Sequence, residues 1–248
     1  AIEKLHEELL DFDAKAELAV NEPKQQTVSS TFTEGKWVIT KTGSVEQNIL
    51  GKRGDDLRID WGYLYLAKPK DFTTALKVGP KPVSRWLMVA YDDEYSIQYM
   101  KKNLRPYWRR NGDDALALLR KSAKEYELLV KRCEKFDAEL MADVRNAGGE
   151  KYARICALAY RQCFAAGKFV ADDNGQPISF CKENHSNGCI GTSDVFYPMA
   201  PQFLLFGPSV AKSFLVPFMN YAASERWRFP FAPHDLGTYP HANGQVYG

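Results

Sequence analysis

The chain has 248 residues, of which 45% are hydrophobic, 26% charged and 13% aromatic, a mixture that builds a core and excludes disorder, a collagen repeat and a disulfide miniprotein. Thirty-three basic against thirty-one acidic residues leave a net charge of +2, so no concentrated basic surface for nucleic acid or anionic membrane is indicated. No run of about 18 apolar residues is present to span a membrane, and the opening AIEKLHEELL reads as a charged amphipathic segment, not a secretory signal.

The first third of the chain carries short apolar runs, Thr27 to Phe32, Trp37 to Thr40 and Ile59 to Ala67, separated by Glu34-Gly35, Thr42-Gly43 and Lys52 to Gly54. Runs rich in Val, Ile, Thr, Tyr and Trp between turn residues predict β-strands. In RIDWGYLYLA both faces become apolar toward the end, which predicts a strand covered on both sides. Residues 68–84 hold three prolines and read as a connector. From about residue 85 the period becomes helical, with a short helix expected between Tyr95 and Leu104.

From Asp113 to Asn146 apolar residues fall at Leu116, Leu119, Ala123, Tyr126, Val130, Cys133, Leu140 and Val144, the three-and-four spacing of one buried helical stripe. Asp137 lands on that stripe, as a structural hydrogen bond or as part of a site. Gly148-Gly149 ends the helix, and a second one follows with Tyr152, Ile155, Cys156, Ala159, Cys163 and Phe164 inward, making an antiparallel helical hairpin. Another helix is expected from Ser209 to about Arg226, opened by Pro208 and bent by Pro217.

Five cysteines, at 133, 156, 163, 181 and 189, show no metal-finger spacing. Cys181 and Cys189 flank a polar loop and either pair or stay free. That loop belongs to the densest polar stretch, residues 181–198, with Lys182, Glu183, Asn184, His185, Thr192, Ser193 and Asp194 between apolar flanks. A polar loop that enters and leaves through the core can line a cavity; the alternative is a solvated connection. The second polar stretch, residues 229–248, sets His234 beside Asp235 among Trp227, Phe229, Phe231, Tyr239 and Tyr247. Neighbours on an extended chain point opposite ways, so His234 and Asp235 are not expected to bond to each other. The aromatics suit a stacking platform for sugars or an ordinary core. In LRPYWRRNG, Arg105, Arg109 and Arg110 interleave with Tyr107 and Trp108 near Asp92, Asp93 and Glu94. Stacked, ion-paired arginines explain this better than a nucleic-acid surface. No phosphate loop, HExxH helix, GxSxG elbow or CxxC is present, and no cofactor or metal is implied.

Seven segments, GDDLRIDWGYLYLA (54–67), VSRWLMVAYDDEYSIQYM (83–100), LRPYWRRNG (104–112), CEKFDAELMADV (133–144), KYARICALAYRQ (151–162), KENHSNGCIGTSDVFYP (182–198) and PFAPHDLGTYPHANGQVYG (230–248), together resemble the glutaminase A family. That family is known from secreted fungal glutaminases and from proteins of gut Bacteroidetes, and the sequence is more similar to the bacterial branch. The resemblance runs from about residue 16 to the end. It implies an α+β multidomain protein: the end of a β-sandwich at 1–80, then the first part of an (α/α) six-hairpin toroid at 81–248.

Six hairpins need twelve helices and about four are read here, so the resemblance implies a fragment whose active site is incomplete within the chain. The acidic stretch that follows GQVYG in the family is absent, the connector at 68–84 is shorter, and His185 stands where the family has an aromatic. The resemblance also implies a secreted or periplasmic hydrolase acting on an amide such as L-glutamine. Glu183, Asp194, His234 and Asp235 would be the catalytic candidates, and Lys182, Asn184 and Tyr239 would bind substrate. Such chemistry needs a base to activate water and an acid to protonate the leaving group; Glu183 or Asp194 would supply a carboxylate, with Lys182 or His234 orienting the substrate. A glycoside hydrolase is the alternative enzyme, since the toroid also serves glycan chemistry, and a non-catalytic carbohydrate-binding or structural module is the third reading.

Overall fold

The structure is a computed structural model describing residues 26–51, 61–73, 79–165, 167–183 and 187–246. Its class is α+β, with antiparallel strands first and helices after them. Two compact units are present: one of residues up to Ile49 with Ile59–Glu94, the other of Leu50–Arg58 with Tyr95–Gly248. The opening amphipathic segment lies outside the described residues.

The first unit is a four-stranded antiparallel sheet of β1 (Thr27–Glu34), β2 (Trp37–Ser44), β3 (Tyr63–Pro69) and β4 (Met88–Asp92) in that order. Register sets Ile39 opposite Ala67 and Tyr65 opposite Ala90, and Trp37, Ile39, Tyr65 and Ala67 are buried on this one face. On the other face, Ser29 bonds Thr42 and Thr31 bonds Thr40 at exposed positions, while Val89 and Tyr91 are exposed. β3 is therefore buried on one face, not on both as its apolar run suggests. Trp61 is buried and donates its indole N–H to the Asp93 carbonyl at 3.0 Å.

In the second unit β5 (Ile97–Tyr99) and β6 (Lys102–Leu104) form a hairpin where a helix was expected. Its two-residue turn, Met100 and Lys101, has both residues at positive φ, a geometry that ordinarily selects Asn-Gly. Here Asn243 holds it: its side-chain oxygen accepts the Lys101 N–H at 2.7 Å, and its amide donates to Gln98 at 2.8 Å. A tertiary contact thus replaces the turn residues that a sequence pattern detects. A short 3-10 turn, Tyr107–Arg109, follows. Arg105 stacks on Tyr95, Arg109 on Trp108 and Arg110 on Tyr107, the stacking expected of this arginine-aromatic run.

The first helix, α1 (Ala115–Ala165), opens with the Asp114 carboxylate accepting the Ala117 N–H at 2.7 Å, as an N-cap does. It breaks at Gly149, whose φ of 77° and ψ of −177° are not helical and suit glycine almost alone. Phe136 meets Tyr160 across the break at 5.5 Å, so the two arms form the antiparallel hairpin that the glycine pair predicts. Phe136 takes the half-buried position and Asp137 is exposed, which overturns its assignment to a buried stripe. In the second arm the inward face is likewise different: Ala153 is buried, whereas Tyr152 and Ile155 are exposed. That arm is apolar on two faces, and periodicity alone does not choose between them.

After the hairpin come β7 (Gly167–Ala171), β8 (Pro177–Cys181), β9 (Cys189–Ile190), α2 (Ser193–Phe206) and α3 (Pro208–Ala222), then β10 (Gly237–Thr238) and β11 (His241–Ala242). α2 has no counterpart among the expected helices, because Pro198 and Pro201 lie inside it and proline argues against a helix interior. α3 follows the expectation, with Pro208 at its start and Pro217 within. Aromatic rings join these pieces: Phe206 packs on Phe136 and Tyr160, Phe164 on Phe203, Phe203 on Phe214, and Phe196 on Phe218. β7 pairs with β8, and a five-stranded sheet runs in the order β6-β5-β11-β10-β9.

A Cβ at Gly149 meets nothing within 4 Å, so Gly149→Ala tests backbone strain without a clash. We expect a loss of about 1–3 kcal/mol, read by urea unfolding at constant m-value; unchanged stability contradicts the hinge.

Candidate functional site

The two polar stretches, far apart in sequence, lie side by side in the second unit. β8 runs on into Lys182, which bridges to Ile190, and the Glu183 N–H bonds the Cys189 carbonyl at 2.9 Å. Gly191 turns the chain at a φ of 62° into α2, whose first turn carries Asp194. Across from it, Leu236 N–H bonds Ile190 O at 2.9 Å, Tyr239 N–H bonds Gly188 O at 2.8 Å, and Ser193 N–H bonds His234 O at 2.7 Å. The start of α2 is thus fastened to the backbone of His234. Thr192, fully buried at the head of α2, leaves its hydroxyl with no partner among the described residues.

His234 Nδ1 lies 3.0 Å from Asp235 Oδ2, so the neighbours do form a pair, against the expectation from an extended chain. The cause is local: Asp235 Oδ1 accepts the N–H of Gly237, two residues on, at 2.9 Å and that of Val246 at 3.1 Å. This Asx-type turn takes the backbone out of the extended form and swings the carboxylate back to the ring. Gly237 has a φ of 139°, and a Cβ there would lie 2.1 Å from the His241 carbonyl, so the turn requires glycine. Asp235 is fully buried, and three donors offset the cost of burying its charge.

The other imidazole nitrogen, Nε2, stands 3.7 Å from Asp194 Oδ1. The His234 side chain is 40% exposed and that of Asp194 68%, so this side of the ring opens to solvent. The hydrogen bond that His234 donates to Asp235 lifts the His234 pKa above its ordinary 6.5, partly offset by burial and helped by the charges of Asp194, Asp235 and Glu183. Glu183, Asp194, His234 and Asp235 therefore share one electrostatic neighbourhood.

Lys182 and Tyr239 contact each other. Lys182 Nζ sits 4.8 Å from the centre of the buried Tyr239 ring. Burial, then the charge of Lys168, lowers its pKa below that of an ordinary lysine. Asn184, with His185, lies outside the described residues, as does Tyr247. Gln245 was not singled out in the sequence; its side chain accepts the His234 N–H at 2.6 Å, and a lone glutamine in a glycine-rich loop carries no pattern that reveals it.

Other features compete less well for chemistry. Cys181 and Cys189 are buried and not joined by a disulfide; Cys181 lies opposite Gly191 while Cys189 lies opposite Glu183, an offset that separates the sulfurs. Burial pushes the Cys181 thiol up to about 12, far from a reactive thiolate. A cavity of about 240 Å³ between Cys163, Phe164, Phe169, Phe203 and Phe214 is mainly apolar, with Lys168 and Ser179 as its polar lining. A wider groove of about 750 Å³ between the arms of α1 holds Asp137 and Arg161 but no histidine. Phe229 and Phe231 stack with ring centres 5.4 Å apart and are 53% and 62% exposed, an open platform, whereas Tyr239 is core. No group of three or more His, Cys, Asp or Glu among the described residues is placed to hold a metal, and no described helix is long and apolar enough to cross a membrane.

Residues 149–248 match the glutaminase A six helical-hairpin domain, and residues 71–143 match a domain of unknown function, DUF5127. Glutaminase A of Aspergillus oryzae (strain ATCC 42149 / RIB 40) is 33% identical over 144 residues, which is 57% of this chain and 20% of that protein. A probable glutaminase of Arthroderma benhamiae (strain ATCC MYA-4681 / CBS 112371) is 27% identical over 146 residues, 58% of this chain and 17% of that protein. The chain thus spans about a fifth of the length of these relatives. No solved structure matches it. The match to the six-hairpin domain begins at the Gly149 hinge and takes in both polar stretches, so this part of the chain is similar to the six helical-hairpin domain of glutaminase A.

Proposed function

We propose that this chain carries part of the active site of a hydrolase that cleaves a carboxamide, with L-glutamine the leading substrate and glutamate and ammonia the products. The observation that carries the reading is the His234 imidazole held between buried Asp235 and exposed Asp194. An ionised carboxylate only accepts hydrogen bonds, so Nδ1 carries the hydrogen toward Asp235, leaving Nε2 as a base on the open side. Nε2 takes a proton from water, and the water oxygen adds to the amide carbon. Glu183 gives a proton to the amide nitrogen as the carbon–nitrogen bond breaks, which releases ammonia; the carboxylic acid so formed returns a proton to Glu183 and becomes the carboxylate, and the His234 imidazolium gives its proton to solvent. Asp194 steadies the imidazolium that forms. The names of the fungal relatives support glutamine as the substrate, and the family resemblance supports a secreted or periplasmic setting.

The exposed Phe229–Phe231 stack, close in sequence to His234, favours a second reading as a glycoside hydrolase with the same carboxylates.

In the full-length protein, Glu183→Gln, Asp194→Asn and His234→Asn each test the assignment by ammonia release from L-glutamine. Loss of Glu183 or His234 is expected to lower kcat by about 10²–10⁴, the usual worth of a general acid or base. Full activity in all three variants overturns the site, and sugar release from glycans without ammonia release selects the second reading. The pH dependence follows from the pair. Because the folded pKa of His234 lies above the unfolded 6.5, the stabilisation it shares with Asp235 is fully present below about pH 6.5 and is lost as pH rises through the folded value. Asp235→Asn should therefore destabilise more at pH 5.5 than at pH 8.5 in urea unfolding. An equal loss at both pH values contradicts the pair.

A further inference from the structure

We propose that Gln245 is a positioning residue of the His234–Asp235 pair, an inference that rests on His234 being the working base. Residues 244–246 run beside 234–236 and bond them one after another. Gly244 N–H donates to Leu236 O at 2.8 Å, the Gln245 side-chain oxygen accepts His234 N–H at 2.6 Å, and Val246 N–H donates to Asp235 Oδ1 at 3.1 Å. Gln245 is itself anchored, its N–H donating to the Tyr221 hydroxyl at 3.1 Å, and Tyr221 is buried near the end of α3.

The His234 backbone is thereby held at both ends, its N–H by Gln245 and its carbonyl by Ser193 N–H. With the main chain fixed and the Asp235 carboxylate fixed by Gly237 and Val246, the imidazole keeps only its two side-chain torsions, and the Asp235 bond selects one setting. Without the Gln245 oxygen, a half-buried N–H loses its partner and His234 is released on one side. A small displacement then matters, because misplacing a catalytic group by about 1 Å costs up to about 10²-fold in rate. The charged groups facing His234 are Asp235, Asp194 and Glu183; Gln245 adds no charge and acts through geometry alone.

The test compares Gln245→Leu, which removes the acceptor, with Gln245→Glu, which keeps an acceptor oxygen, in the full-length protein. Imidazole nitrogen NMR reads the tautomer and titration of His234 independently of activity. In Gln245→Leu we expect the Nδ1–H tautomer to lose its dominance, the titration to fall toward pH 6.5, and kcat on L-glutamine to drop about 10-fold or more with KM within about 2-fold. Gln245→Glu is expected to restore the tautomer. A wild-type tautomer and titration in Gln245→Leu overturn the proposal, as does a Gln245→Glu protein that matches Gln245→Leu. Should Gln245→Leu not fold, Tyr221→Phe loosens the same clamp more gently: a His234 titration shifted the same way supports the clamp, and an unshifted one overturns it. Absence of glutaminase activity in the wild type would defeat the catalytic reading while the NMR result still decides the clamp.

Discussion

A carboxylate with no solvent exposure has to be surrounded by donors, and Asp235 is the point on which the described site is organised. Gly237, Val246 and His234 supply those donors, and each demand shapes a different piece of chain. The Gly237 bond makes the turn that brings His234 back over its neighbour. The Val246 bond draws residues 244–246 alongside 234–236. The His234 bond fixes the ring so that its second nitrogen faces Asp194 on the first turn of α2. A buried charge is expensive unless fully satisfied, and its satisfaction here aligns the two polar stretches.

The remainder of the second unit gives that arrangement a frame. α2 is tied to His234 through Ser193 and to the hairpin of α1 through the Phe164–Phe203 and Tyr160–Phe206 contacts. α3 carries Tyr221 to the loop that holds the histidine backbone. Leu204, Leu205, Leu215 and Met219 remain exposed on these helices, so burial on this side of the unit is carried mainly by rings. The site therefore sits where a rigid aromatic layer meets short strands, the placement that lets a loop hold catalytic groups without wandering.

Parts of this were legible in the sequence for definite reasons. The strands Thr27–Glu34 and Trp37–Ser44, the hairpin hinged at Gly148-Gly149 and the helix opened by Pro208 announce themselves through local chemistry: β-branched runs, a glycine pair and an N-terminal proline. His234, Asp235, Glu183 and Asp194 were legible as polar groups in apolar surroundings. What stayed hidden depends on contacts distant in sequence. The Met100-Lys101 turn is held by Asn243, α2 tolerates Pro198 and Pro201, the stripe on α1 takes Phe136 in place of Asp137, and the His234–Asp235 bond exists because Val246 and Gly237 bend the chain.

The central claim is that the 181–194 and 234–246 stretches form one substrate-binding acid-base site. The most direct measurement is NMR titration of the full-length protein with L-glutamine, following the His234 imidazole and the amides of residues 183–194 and 234–246. The account predicts saturable shifts there, with the His234 titration displaced by bound substrate and the residues around the apolar cavity at Phe203 and Phe214 unmoved. Saturable shifts confined to that cavity or to the groove between the arms of α1, with His234 unaffected, would contradict it.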